Sequence, residues 1–453
     1  MKTMKKLYKN LIIIAALSPL LLFTACEDFL DLSPTNSIPS TIAITNKGTA
    51  NAAIIGAYNS VQNYYSNYYI TLGTITADNV SYNGTLSQYL QLDQNSVSPD
   101  NAGTVYVYQT IYAGINSANS IIAAIGNVSD PLFTEAEKNK ILGEAYFIRA
   151  LGYFDLARGW GGVQLQLNPT TDLGALSGIK RSTLAQTYDQ VLADLTKAEE
   201  LLPEDDSTTR NRAQKNAARA LRARLHLYRE EWGEAETYAT SVINSTKYSL
   251  VKPFKTFFTS PFLSSESVFE LTFTSNDKNS YWNLWYPSTV GGQYTLKPSD
   301  ALVAKLNDSN VGGTRKDIIQ GSGNSVYGVL YNTVSTSTDP AYVIRIAELY
   351  LIRAEARIKK TSPDISGALS DLNKIRDRAD IPDFDSSDKN VIIQAIEDEN
   401  SIEFAFEPHR WFDLVRTKRV GTVLGLTNTD YWLFPLPASD ILSDPDVEQN
   451  PGY

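Results

Sequence analysis

The spacing of apolar residues predicts helices over most of the chain. Between residues 141 and 159, apolar positions recur on two sides of one helix: Ile141, Ala145, Ile148, Gly152 and Leu156 on the first, and Phe147, Leu151 and Phe154 on the second. A helix that is apolar on several sides is covered by neighbours on several sides. The pattern therefore predicts a central, buried helix.

Helical stripes also occur in pairs separated by short breaks, with small residues where two helices would approach each other. The pairs are 211–229 with a stripe starting at Trp232, 347–358 with 365–379, and 134–159 with 182–202. This pattern is typical of tetratricopeptide repeats, whose pairs must stack because one pair cannot close a core. We predict a mostly α fold, in which tetratricopeptide-like helix pairs form a superhelical scaffold within a single compact domain.

Two segments interrupt the helical pattern, at about 64–100 and 246–335. Both are rich in aromatic, Ser, Asn and Gly residues, and 268–273 has the composition of a short strand. They predict a loop-rich, partly β insertion. Because loops on a rigid scaffold commonly carry binding residues, we expect the ligand to contact these segments.

The N-terminus has the organisation of a secretory signal. Four lysines up to Lys9 precede an apolar run from Leu11 to Phe23, which is too short to span a bilayer. The small residues before Cys26 resemble a bacterial lipobox, in which the cysteine thiol accepts lipid. We therefore expect a signal peptide at 1–25, a lipid-anchored leader at 26–46 and the folded domain at 47–453.

Charge and composition exclude several classes of function. Removal of the signal peptide takes away four lysines and no acid, so the net charge changes from −10 to −14. Such a charge opposes binding to nucleic acid, and we expect membrane contact through the lipid anchor alone. With Cys26, the one cysteine, acylated, the folded domain has no thiol for a disulfide or zinc site. We expect no cofactor, although calcium in the Asp- and Asn-rich loops stays open.

Four motifs, in order along the chain, resemble those of the SusD/RagB family. They are 143–156 (GEAYFIRALGYFDL), 345–356 (RIAELYLIRAEA), 403–417 (EFAFEPHRWFDLVRT), and the ending FPLP at 434–437 with QNPGY at 449–453. Two positions depart from the usual family pattern, namely Asn400 in place of Arg, and 163–165 (VQL) in place of VPL. The motif charges are interpreted as ion pairs between helices: Arg149, Glu348, Arg353, Glu355, Arg410 and Asp413.

The resemblance implies an outer-membrane lipoprotein of Bacteroidetes.

 Family members lie as lids over a SusC-like, TonB-dependent transporter, on the outer face of the cell, and help to capture glycans, or in some cases peptides, for import. The resemblance therefore implies that this chain is a non-catalytic glycan-binding protein with a SusC-like transporter as its partner.

The candidate ligand-binding residues are aromatic and planar polar side chains in the two interrupting segments. A sugar ring presents an apolar C–H face, which suits a flat aromatic ring, and hydroxyl groups, which suit amides and carboxylates. The candidates are Trp282, Asn283, Trp285 and Tyr286 in the second segment, and Tyr68, Asp78, Asn79 and Tyr82 in the first.

Three alternatives to glycan capture stay open at the level of sequence. A peptide-capture lipoprotein of RagB type would have the same architecture. A helical glycoside hydrolase would also stack helix pairs, but the chain lacks a convincing catalytic loop motif with two carboxylates. A protein–protein adaptor built on the repeats accounts less well for the anchor and the aromatic loops.

Overall fold

The helices predicted from the apolar stripes form a continuous array. The computed structural model describes residues 44–170, 178–206, 208–259, 263–444 and 446–453, and Ile44–Tyr453 forms one compact unit. Cys26, the predicted signal peptide and the leader up to residue 43 lie outside the described residues. Among the helices that are described, none combines the length and apolar character needed to cross a bilayer.

Apart from α2 and α3, the α-helices of the first half are long. They are α1 (Lys47–Tyr65), α2 (Tyr68–Ile75), α3 (Ser87–Asp93), α4 (Ala102–Ala124), α5 (Glu135–Trp160), α6 (Leu184–Leu201), α7 (Lys215–Tyr228) and α8 (Trp232–Asn244). Those of the second half include several short ones. They are α9 (Thr256–Thr259), α10 (Trp282–Trp285), α11 (Asp300–Asn307), α12 (Ile346–Lys359), α13 (Ile365–Arg378), α14 (Lys389–Glu403), α15 (Arg410–Arg416), α16 (Val420–Leu424) and α17 (Ala438–Ser443).

The strands are short and pair two by two. They are β1 (Val80–Tyr82), β2 (Ser267–Leu271), β3 (Leu296–Pro298), β4 (Ile319–Gln320), β5 (Tyr327–Gly328) and β6 (Ala341–Arg345). The antiparallel pairs are β1 with β3, β2 with β6, and β4 with β5. The strand predicted at 268–273 corresponds to β2.

Successive long helices pack side by side, as the stacking argument requires. Helix α1 contacts α4, α4 contacts α5, and contacts continue through α6, α7, α8, α12 and α13. The central helix predicted at 141–159 is α5, which begins with a capping box between Thr134 and Glu137. From Phe147 to its end, every side chain of α5 is buried. The mostly α, stacked-pair fold is confirmed.

Buried ion pairs join neighbouring helices of the array. Arg149 on α5 binds Asp194 on α6 through two hydrogen bonds of 2.9 and 2.7 Å. Arg353 on α12 binds Asp371 on α13 in the same bidentate manner. Since a buried charge left without its partner is costly, these pairs fix how the helices align. Glu348 and Glu355 likewise bind Arg224 and Arg416 on other helices, so these four motif charges lie between helices, as interpreted from the sequence. Two differ: Arg410 binds Asp78, which precedes β1, and Asp413 binds Arg416 on its own helix.

The segment at 64–100 is more helical than the sequence predicts. It contains the end of α1, all of α2 and all of α3. Tyr64 and Tyr69 are buried, and their hydroxyl groups donate to the carboxylate of Asp155 at 3.1 and 2.7 Å. Because that carboxylate lies inside the array, these tyrosines face the core and not the surface.

Candidate functional site

The two aromatic segments meet at a two-stranded sheet. Strand β1 pairs with β3 so that Val80 lies opposite Pro298 and Tyr82 opposite Leu296. Beyond β1, the backbone N–H of Asn83 donates to Thr295 O at 2.7 Å, and its side-chain amide donates to Tyr294 O at 3.0 Å. The sheet thus joins the two segments that were predicted to contact the ligand, although they are distant in the sequence.

Four tyrosine rings lead from this sheet to the protein surface. The ring centroids of Tyr82 and Tyr89 are 5.3 Å apart, those of Tyr89 and Tyr68 are 6.3 Å apart, and those of Tyr68 and Tyr106 are 4.8 Å apart. We call these four residues the tyrosine ladder. Tyr82 and Tyr89 are buried, Tyr68 is half-buried, and Tyr106 is 41% exposed. The outer rings therefore present an aromatic surface that buried rings support.

The inner end of the tyrosine ladder is fixed by hydrogen bonds. The Tyr82 hydroxyl accepts from the backbone N–H of Leu86 at 3.0 Å, and the Tyr82 N–H donates to Asp93 Oδ1 at 3.0 Å. Burial, with a further contribution from the neighbouring Tyr68, raises the pKa of Tyr89 to about 12. The Tyr89 hydroxyl is accordingly neutral at physiological pH. The outer rings therefore pack on inner tyrosine rings that are fixed in place and uncharged.

Two of the predicted polar ligand groups hold the scaffold together instead. The Asp78 carboxylate accepts two hydrogen bonds from Arg410, and burial, which would raise the pKa of Asp78, is outweighed by this arginine, which lowers it. Asn79 is 3% exposed, and its amide donates to Ser401 O at 2.7 Å. Both side chains connect the β1 segment to the C-terminal helices, so the structure does not bring them to the aromatic surface.

The predicted Trp282–Tyr286 cluster is a short helix and not an open loop. Trp285 is 1% exposed and packs against Phe406, with ring centroids 4.5 Å apart. A helical turn places residue 281 on the same side as residue 285, and Tyr281 is fully buried. Trp285 therefore offers no ring face to a ligand in this structure.

The other members of that cluster lie nearer the surface. Trp282 is half-buried, and its indole N–H donates to Ser337 Oγ at 2.8 Å. Asn283 is also half-buried, and its backbone oxygen accepts from the N–H of Gln293 at 2.7 Å. Tyr286 is 8% exposed and borders a cavity of 500 Å³ together with Phe258, Asp317 and Asn332.

Tyr106 lies at this surface but was not among the sequence candidates. On α4 the buried positions include Val107, Tyr108 and Ile111, and Tyr106 lies outside that apolar stripe. An aromatic residue on the polar side of an amphipathic helix is a usable sequence signal for a contact surface. The residues around Asp317 give no comparable signal, because only the folding of the second segment brings them together.

The largest group of buried acids is bound to arginines. Glu266, Glu403 and Glu407 surround Arg345, with Arg345 Nη2 at 2.6 Å from Glu407 Oε1 and Arg378 Nη1 at 2.7 Å from Glu266 Oε1. These acid side chains are at most 3% exposed. Within the described residues no group of three or more His, Cys, Asp or Glu side chains is arranged to hold a metal ion. The cluster stabilises the junction of β2, β6, α13 and α14.

Known proteins that are similar to this chain belong to one family. Residues 28–227 match a family model described as starch-binding and associating with the outer membrane, and residues 241–426 match the model of the SusD family. A SusD-like protein of Formosa agariphila is 26% identical over 518 residues, which cover 100% of both chains. The starch-binding protein SusD of Bacteroides thetaiotaomicron is 31% identical over 192 residues, 36% of this chain and 34% of its own.

Solved structures share the fold. A SusD superfamily protein of Bacteroides vulgatus superposes with a TM-score of 0.80 at 21% identity, covering 90% of this chain and 99% of its own. A laminarin-binding SusD-like protein superposes with a TM-score of 0.78 at 21% identity, covering 90% of this chain and 100% of its own. At such identity these similarities establish the architecture.

Proposed function

Because the chain belongs to the SusD/RagB family, we propose that it binds glycan at the outer-membrane surface without cleaving it and delivers it to a SusC-like, TonB-dependent transporter. The family descriptions associate its members with starch binding and the outer membrane. One structural neighbour is a laminarin-binding protein. Starch and laminarin are both polysaccharides, whose rings have the apolar faces that aromatic side chains contact.

The observation that carries this proposal is the tyrosine ladder. Tyr106 and Tyr68 present aromatic surface outside the core, while Tyr89 and Tyr82 hold them from within. Each ring that a sugar covers buries ~150 Å², which contributes roughly 4 kcal/mol before costs at ~25 cal/mol/Å². Ordering of the ligand and desolvation of its hydroxyl groups offset much of this gain. The expected result is a weak site whose effect is multiplied by many copies at the cell surface.

The buried acid cluster cannot supply the catalytic pair of a glycoside hydrolase. A glycoside hydrolase needs two carboxyl groups that flank the scissile bond and reach the substrate. Among the described acids, Glu266, Glu403 and Glu407 form the most prominent group, and all three are buried against arginines. They cannot flank a polysaccharide chain without unfolding of the scaffold.

The N-terminal motif supports the proposed location. Acyl chains on Cys26 would anchor the chain stably, since each buried methylene contributes ~0.8 kcal/mol to membrane binding. A net charge of −10 in the precursor, which becomes more negative after cleavage, opposes adsorption to anionic lipid. A domain anchored in this way on the outer face of the cell would be exposed to polymers outside it.

Affinity electrophoresis of the purified mature chain tests the proposal. We expect at least one of the two polysaccharides, laminarin or starch, to retard the wild type in the gel, and to retard the double variant Tyr68→Ala/Tyr106→Ala less. The matched control is Tyr431→Ala, because Tyr431 is a comparably exposed tyrosine outside the tyrosine ladder.

Two results would contradict the proposal. Release of reducing ends by the purified chain would overturn the non-catalytic part. Binding to a library of extended peptides, with no binding to a broad glycan array, would favour the RagB-type alternative.

A further inference from the structure

Three cavities at the second aromatic segment adjoin one another, since their linings share residues. The first, of 500 Å³, is bordered by Tyr286 and Phe258; the second, of 560 Å³, by Asn307 and Ser322; and the third, of 230 Å³, by Thr314 and Asp380. Asp317 borders all three. We call this the Asp317 groove. It runs along 313–320, from Tyr286 at one end to Asp380 at the other.

The size and continuity of the groove suit an extended ligand. The two larger cavities each fall within the range of about 300–1,000 Å³ that is usual for small-molecule sites. Ile319 borders the first and second cavities, and Asn307 borders the second and third. A linear chain lying across both junctions would occupy all three cavities at once.

The charges along the groove are balanced. Its lining includes Lys255, Lys316, Asp317 and Asp380. Lys255 Nζ lies 4.0 Å from Asp317 Oδ2, and Asp380 Oδ1 lies 2.7 Å from the ammonium group of Lys252. A surface on which acids and lysines compensate each other gives no net attraction to a polyanion. It does offer charged hydrogen-bond donors and acceptors to hydroxyl groups.

The remaining surface combines a ring with polar groups. Tyr286 and Phe258 provide an aromatic wall at the first cavity, and Tyr327 packs against Tyr286 at 5.1 Å between ring centroids. Gln320 and Asn332 supply amides. At the second cavity Gly321 and Gly323 line the wall, so backbone groups approach the surface without intervening side chains. This mixture suits a polyhydroxylated ring better than an apolar one.

We propose that the Asp317 groove binds a linear, neutral oligosaccharide in an extended conformation. The inference rests on the proposed glycan-binding function and adds the class of glycan, uncharged and linear, together with a second surface beside the tyrosine ladder. Contact over three cavities means that affinity increases with chain length until the groove is filled.

Isothermal titration of the mature chain tests the dependence on length and charge. The probes are neutral β-1,3- and α-1,4-glucan oligosaccharides from two to eight sugar units, and alginate oligosaccharides of matched length. We expect at least one neutral series to bind at least tenfold more tightly at six units than at two, with little dependence on salt. Tighter binding of alginate, lost on addition of salt, would overturn the assignment of a neutral ligand.

Two blocking variants test the location. Ile319→Trp obstructs the junction of the first and second cavities, and Asn307→Trp that of the second and third. Both should weaken binding of the six-unit oligosaccharide at least tenfold. The control Val391→Trp adds the same ring at an exposed position on α14, outside the groove, and should bind like the wild type. Circular dichroism of each variant verifies folding.

The outcomes separate the groove from the proposed function. If the wild type binds glycan and both blocking variants bind equally well, the groove is not a binding surface, although the function stands. If the wild type binds no glycan, both proposals fail. Protection of groove residues by an extended peptide, and not by sugars, would assign the groove to peptides.

Discussion

Arg410 on α15 holds Asp78, 332 residues earlier in the chain, through hydrogen bonds of 2.6 Å from Nε and 3.0 Å from Nη2. This pair connects the start of β1 to the C-terminal helices. The structure around the aromatic surface therefore depends on a contact between distant parts of the sequence.

Asp78→Asn should destabilise the protein by about 1–3 kcal/mol. The amide is uncharged, and it can accept only one of the two hydrogen bonds that Arg410 donates to Asp78. Urea unfolding measures the change. The comparison is Asp189→Asn, which removes an exposed ion pair with Arg229 at 2.7 Å and should change stability by less than about 1 kcal/mol. Equal effects of the two substitutions would contradict the structural role of Asp78.

The contribution of Glu266 to stability should fall as the pH rises from about 5 to 7, opposite in sign to the contributions of His226 and His409, whose pKa values burial lowers. Burial, with Glu403 and Glu407 nearby, raises the pKa of Glu266 to about 7 from its ordinary 4.5. The folded state thus keeps a proton in this window that the unfolded chain has lost, so raising the pH favours unfolding. Glu266→Gln should remove this contribution, so that the slope of the free energy of unfolding against pH, from urea titrations at several pH values, becomes more positive than in the wild type. Glu234→Gln, at an exposed position on α8, should leave the slope unchanged.

Trp285→Ala should destabilise the fold by about 3–5 kcal/mol, as expected for removal of a large buried aromatic side chain. Trp282→Ala should cost less, about 1–2 kcal/mol, since this half-buried ring loses part of its packing and one hydrogen bond to Ser337. Thermal unfolding of the two variants measures the difference. A larger loss of stability for Trp282→Ala than for Trp285→Ala would contradict the assignment of Trp285 to the core.

Tyr106→Ala should weaken glycan binding about tenfold, or about 1.4 kcal/mol, while the free energy of unfolding changes by less than about 0.5 kcal/mol. The exposed ring makes little contact with the core, so its loss should weaken ligand binding and leave the stability of the fold almost unchanged. Tyr106→Phe keeps the ring and should bind as the wild type does. If the Phe variant is as weak as the Ala variant, the hydroxyl group and not the ring face makes the contact.

The helical scaffold could be predicted from sequence because its signals are local. Apolar residues three and four positions apart mark the buried side of a helix wherever it packs. The stripe around Phe147 and Leu151 identifies α5 without knowledge of its neighbours. The motif at 143–156 then gives the family, since it combines that stripe with Arg149 and Asp155 in fixed positions.

The candidate site could be predicted only in part, because exposure depends on distant contacts. Trp285 and Tyr286 are adjacent and aromatic, yet Trp285 packs on Phe406, more than a hundred positions away, while Tyr286 borders a cavity. The Asp78 carboxylate could hydrogen-bond a ligand, but it is already bound to Arg410. The sequence around Trp285, Tyr286 and Asp78 does not show which of these side chains is buried and which faces a cavity.

The hydrogen bond between the Asn83 amide and Tyr294 O spans 211 residues. A nascent chain that ends before Tyr294 has the first aromatic segment but lacks β3, so the sheet that joins the two aromatic segments cannot yet form. If the chain is exported unfolded, as its proposed location requires, β1 and β3 would pair only after both segments had crossed the membrane.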